Sequence, residues 1–214
     1  MKEAAEAVGT IQRHLEAIYA VDYGHDARRF LIGDEQLARL VEAGVVTPEH
    51  QGAHEQVLVL PSEGELGLAL HLSDEVQAGL AGATTLQDHC HATEGVSHLL
   101  LLLRSAARGE RLRLLDLELQ AEVDKASTVL LRAHAVPGAP SAERLLARLG
   151  RVTLHEELPE EARRRYREAH RLGVRYASHL AALLAEGVDR LLAELRRFYR
   201  LPPEGRRERV IQLA

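Results

Sequence analysis

Five consecutive leucines at positions 99–103 constrain the fold of this chain more than any other feature of the sequence. They lie in a stretch without proline, residues 84–108, that ends just before Gly109. Because consecutive residues of a helix point in different directions, these leucines would cover a helix on all sides. A helix that is apolar all round is buried. The leucines therefore predict a long helix at the centre of a helical bundle.

Helical spacing of apolar residues covers most of the rest of the chain. Further helices are predicted at 2–20, 34–43, 111–135, 141–149 and 159–201, with an interruption near Gly187 and a short helix after Ser73. Two apolar runs at 55–60 and 66–72 flank a Pro/Gly turn at 61–65, and this is the one convincing hairpin signal. The predicted fold is mainly α, a helical bundle with a small β-hairpin in the N-terminal third.

No stretch of the sequence is typical of a linker, so a single domain is predicted over 1–214. Residues 1–82 would form an α/β-hairpin portion packed on the helical bundle at 84–201. Residues 202–214 begin with two prolines, which end the preceding helix, and they are interpreted as a tail.

The composition is that of a folded globular protein, with 46% hydrophobic and 28% charged residues. The single cysteine excludes an intrachain disulfide. The acidic first residues differ from the basic start and apolar run of a secretory signal, and the leucine run is too short to span a bilayer. The chain is therefore expected to be cytoplasmic, without a membrane segment or a membrane partner.

The chemistry-bearing motifs with fixed spacing are missing, including phosphate loops, HExxH, GxSxG and paired CxxC, so whether the chain is an enzyme stays open. Twelve histidines are many for this length. At 100° per residue, His91, Glu94 and His98 form one polar stripe on the helix that carries the leucine run. A buried carboxylate between two imidazoles needs a partner, which a metal ion, a hydrogen-bond network or a water-filled cavity could supply.

The next helix offers a matching pair of carboxylates. Glu118 and Glu122 lie on or beside its apolar face, whereas Asp116, Gln120 and Asp124 point to the other side. An antiparallel pairing of the two helices would bring the glutamates opposite the polar stripe. In the last helical block, Tyr166, His170, Val174 and Ala177 share a face, so His170 is predicted to point to the same interior.

These residues together predict a divalent-metal site of iron, manganese or zinc between two central helices. The predicted ligands are His91, Glu94, His98, Glu118 and Glu122, with His170 as a weaker candidate. Their spacing is ExxxH and ExxxE, unlike the paired ExxH of ferritin-like di-iron proteins. If such a site were catalytic, it would use metal-activated water or oxygen chemistry.

The alternative interpretation is a non-catalytic protein-interaction or structural module, whose histidines are core residues and whose glutamates pair with arginines. Residues 1–150 carry 13 basic and 22 acidic side chains, and residues 151–214 carry 14 and 10. This polarity suggests a homo-oligomer. Six arginines at 196–209 surround Phe198 and Tyr199 and are predicted to be exposed. Nucleic-acid binding is the less favoured use of this segment, because the chain is acidic overall.

Overall fold

The computed structural model describes residues 2–60, 67–150 and 159–213. The fold is mainly α, 73% helical with a small three-stranded sheet in the N-terminal part, as predicted. The strands are β1 (Leu31–Ile32), β2 (Glu55–Leu60) and β3 (Gly67–Leu72). The helices are α1 (Lys2–Tyr19), α2 (Asp34–Glu42), α3 (Asp74–Ala81), α4 (Leu86–Arg108), α5 (Leu114–Ala135), α6 (Ala142–Leu149), α7 (Glu160–Glu186), α8 (Val188–Arg200) and α9 (Pro203–Ile211).

Two compact units make up the chain. The first comprises Met1–His14 and Asp22–Arg108, and the second comprises Leu15–Val21 and Gly109–Ala214. The single-domain organisation stays a prediction. Among the described helices, none combines the length and the apolar character needed to cross a membrane.

The sheet of the first unit has the strand order β1-β3-β2. Strands β2 and β3 are antiparallel, with Glu55 opposite Leu72 and Leu60 opposite Gly67, so both strands of the predicted hairpin are confirmed. The predicted turn at 61–65 lies outside the described residues. Strand β1, which pairs parallel to β3, was not predicted. Two residues are too short to show the alternation by which a strand is recognised.

Helix α4 packs on strands β2 and β3 through a glycine. A Cβ atom on Gly95 would lie 2.7 Å from Cδ1 of Leu70, so only glycine fits without a shift in its surroundings. The leucine run is buried at Leu99, Leu100 and Leu101, whereas residues 102 and 103 are partly exposed. The prediction of burial on all sides therefore holds for three of the five leucines.

In the second unit, α5 and α7 pack side by side. A Cβ atom on Gly173 would lie only 2.5 Å from Cβ of Glu122, which shows how closely the two backbones approach. The predicted inner face of α7 is wrong at Val174, whose side chain is 41% exposed. The buried face includes Ala177 of the predicted face but is centred one position away from Val174; it comprises Ala169, Leu172, Gly173, Tyr176, Ala177, Leu180 and Leu184.

Residues 203–211, predicted to be a tail, form helix α9. Its first residue is Pro203, and proline is well suited to that position because the first amide of a helix needs no acceptor. The prediction that the arginines at 196–209 are largely exposed is wrong for Arg206, which is 2% exposed, and for Arg207 and Arg209, whose side chains are only 16% and 24% exposed. Its guanidinium donates hydrogen bonds to the carbonyl oxygens of Tyr199 and Leu201.

Helix α5 contributes a buried polar row that the sequence placed away from the apolar face. Asp124 accepts hydrogen bonds from Tyr19 and, at 2.9 Å, from Gln120. Gln120 in turn accepts one from Arg206 at 3.4 Å, and Asp116 pairs with Arg207. This face of α5 is therefore as buried as the apolar one, because its polar groups have partners within the second unit.

Candidate metal centre

Helix α4 carries three of the predicted ligands. Glu94 and His98 lie one turn apart, an i,i+4 pair whose side chains share one face of the helix. Both residues are partly buried, and Nε2 of His98 is shielded from solvent. Two potential ligands are thus presented side by side by a single regular helix.

His91 lies one further turn back on α4 and has neighbours of its own in the first unit. The Gln87 amide donates a hydrogen bond to its Nε2 atom at 2.9 Å. Its ring stacks on that of His54, with centroids 4.9 Å apart. These contacts engage His91 with groups other than Glu94 and His98.

Glu118 on α5 has one of the most deeply buried carboxylates of the predicted set, with a side chain that is 7% exposed. Its described ion-pair partner is Arg165 of α7, whose Nε atom lies 3.6 Å from the carboxylate. That separation is longer than a normal N–H···O hydrogen bond. The positive charge of Arg165 therefore lies close to the Glu118 carboxylate, but its Nε atom is too far away to donate a hydrogen bond to it.

Glu122, one turn further along α5, is engaged more tightly. Nζ of Lys125 lies 2.7 Å from one carboxylate oxygen, and Nδ1 of His170 lies 3.1 Å from the other. Burial alone would raise the pKa of Glu122, but the charge of Lys125 and the hydrogen bond from His170 lower it to about 2. Glu122 is thus a carboxylate whose charge is compensated by the protein itself.

His170 bridges α7 to α5 within the second unit. Its hydrogen bond to Glu122 raises its pKa above the usual value, and burial opposes that effect. The other ring nitrogen lies 3.3 Å from the carbonyl oxygen of Gly150, just after α6. A protonated His170 would donate hydrogen bonds to both groups.

A His/Glu/Glu cluster among the described residues could hold a metal ion: Glu94, His98 and Glu118. It offers two carboxylates and one imidazole, which are ligands of iron, manganese and zinc. The assignment of His91, Glu122 and His170 as additional ligands stays a prediction, and each of the three has protein partners.

Sequence analysis missed a second group of polar residues, in the first unit. His71 on β3 is fully buried and donates through Nε2 to Asp34, at 2.9 Å. The Gln56 amide approaches the other ring nitrogen at 3.4 Å. Alternate residues of a strand share a face, so His71 lies on the same side of β3 as the buried Ala69. A histidine at an inward position of a strand is the sequence signal that could have identified it.

Comparison with known protein families, curated proteins and solved structures finds no match for this chain. The site is therefore interpreted from its own residues.

Proposed function

We propose that this protein binds one divalent metal ion through Glu94, His98 and Glu118. The observation that carries the proposal is that these three side chains can offer their ligand atoms to a single ion. Two carboxylates and an imidazole form a mixed oxygen and nitrogen donor set, which suits iron, manganese or zinc better than calcium or magnesium.

The helix positions of the ligands support the proposal. Residues four apart on a helix can ligate the same ion, as the two histidines of HExxH motifs do. Glu94 and His98 have this spacing on α4. Because the backbone of a regular helix holds both side chains, little conformational freedom would be lost when they bind an ion.

The burial of the Glu118 carboxylate also supports metal binding. A carboxylate that is 7% exposed is stabilised by a positive charge beside it. A metal ion bound directly to an oxygen of Glu118 would supply such a charge. Three protein ligands leave coordination positions for water, so we expect an ion that exchanges with chelators rather than a closed structural one.

The test is elemental analysis of protein purified without an affinity tag, before and after reconstitution with iron, manganese and zinc. We expect about one ion per chain, lost in the His98→Ala/Glu118→Gln double variant. The matched controls are His134→Ala and Glu161→Gln, which replace the same residue types at exposed positions and should retain the ion. A wild-type chain that stays metal-free after reconstitution, or a double variant that retains the ion, contradicts the proposal.

A further inference from the structure

The carboxyl ends of the parallel strands β1 and β3 open into a pocket in the first unit. Helices α2 and α3 begin there, at Asp34 and Asp74, directly after the strands end. The pocket has a volume of about 390 Å³. This size is within the usual range for small-molecule sites, and the ends of parallel strands are a common position for them.

Two hydrogen bonds orient the carboxylate of Asp34 at the wall of this pocket. Nε2 of His71 donates to one carboxylate oxygen at 2.9 Å, and the backbone N–H of Asp74 donates to the other at 3.0 Å. Burial would raise the pKa of Asp34, but these two hydrogen bonds lower it below the usual value. Asp34 is thus ionised and held in one orientation.

The proton of His71 is itself fixed by its neighbour. The Gln56 amide donates to the carbonyl oxygen of His50 at 2.7 Å, which places its second N–H toward Nδ1 of His71. Gln56 also accepts from Nδ1 of His50 at 2.7 Å. Because Nδ1 of His71 accepts a hydrogen bond, the ring proton lies on Nε2, and this N–H donates a hydrogen bond to Asp34.

Asp34 has no lysine or arginine partner among the described residues, although its side chain is 52% exposed. Other carboxylates of the chain do have such partners, including Glu35 with Arg39 on the same helix turn. The lining of the pocket includes Glu75 and the apolar side chains of Leu37, Ala38 and Ala53, and no basic residue other than His54. Asp34 thus presents an oriented carboxylate beside an apolar wall, and such a carboxylate can accept hydrogen bonds from a cation.

We propose that this pocket binds a small organic cation, an alkyl chain that carries a protonated amine or a guanidinium, with Asp34 as its counter-ion. The alkyl chain packs against Leu37 and Ala38. The cation donates hydrogen bonds to the carboxylate lone pairs of Asp34 that His71 and Asp74 leave free.

Calorimetric titration of the full chain with agmatine tests the proposal, and the same titration with calcium chloride serves as the comparison. We expect agmatine to bind wild-type protein and the Glu35→Gln control equally. Asp34→Asn keeps an oxygen for the Asp74 amide but removes the charge, so agmatine affinity should fall at least about tenfold. No agmatine binding to wild-type protein at millimolar concentrations, equal binding to Asp34→Asn, or calcium binding alone would each overturn the proposal.

A second variant separates binding from folding. Ala38→Arg places a guanidinium four residues after Asp34 on α2, a spacing at which opposite charges pair on a helix. The new arginine should occupy the position of the cation, so agmatine binding is lost while the melting temperature is unchanged or higher. Retained agmatine binding in Ala38→Arg contradicts the assignment of Asp34.

Discussion

Replacement of Arg165 by glutamine should strengthen metal binding while it weakens the metal-free fold. Arg165 places its positive charge 3.6 Å from the carboxylate of Glu118, one of the three proposed ligands. A divalent ion that binds Glu118 must either displace this guanidinium or tolerate its repulsion. Glutamine keeps much of the side-chain volume and removes the charge, so this repulsion is absent in the variant.

The expected size of the effect follows from the ion pair. Two unit charges 3.6 Å apart attract each other by roughly 4–5 kcal/mol at an effective dielectric constant of about 20. The side chains are 7% and 22% exposed, so solvent screening and relaxation reduce this value. We expect about 1–3 kcal/mol of lost stability without metal, because the buried carboxylate of Glu118 loses a positive charge close to it. If about 1.4 kcal/mol of repulsion is removed, the metal affinity rises about tenfold.

Competition with a chromophoric chelator measures the affinity, and urea denaturation with and without metal measures the stability. The matched control is Arg163→Gln on the same helix, since Arg163 pairs with Glu160 at 2.8 Å instead of with a proposed ligand. Equal affinities of wild-type protein and Arg165→Gln would refute the competition between Arg165 and the ion. If neither protein binds metal, the proposed function itself fails.

Three further predictions concern the second unit. His170→Gln should reduce the free energy of unfolding, and denaturation curves at several pH values should show the largest reduction between about pH 4.5 and 6.5. The raised pKa of His170 gives stability that is present at low pH and lost as the pH rises through that value, whereas the lowered pKa of Glu122 gives stability that is lost toward pH 2. A pH-independent loss would contradict this pairing. Gly173→Ala should lower the melting temperature although alanine favours helices by about 1 kcal/mol, because the new Cβ would clash with Glu122; an unchanged value would show that α7 can shift. Arg206→Met should reduce the free energy of unfolding in urea by about 2–4 kcal/mol, because it leaves buried carbonyl groups without donors; a loss under about 1 kcal/mol would show that water replaces it.

Local sequence patterns predicted most of the helices and both strands of the hairpin, because apolar periodicity and capping residues act within one element. Ser73 and Ser141 cap α3 and α6 as their sequence positions suggest. Strand β1 and helix α9 were not predicted, and the reasons also lie in their local sequences. The first has two residues, and the second begins with Pro203, which was interpreted as the end of a helix rather than as its first residue.

The polar interior could not be predicted in the same way, since it depends on residues far apart in the chain. The periodicity of α5 predicts an outward position for Asp124. In the structure Asp124 is buried, because Tyr19, which lies 105 residues earlier in the chain, donates a hydrogen bond to it. The same long-range dependence holds for the candidate site. Helical periodicity identified Glu118 and Glu122 as neighbouring inward carboxylates, but it could not show that Lys125 and His170 engage Glu122. The pairing of Glu122 with Lys125 and His170, rather than its residue type, is the reason why Glu118 and not Glu122 is the α5 carboxylate that we propose as a metal ligand.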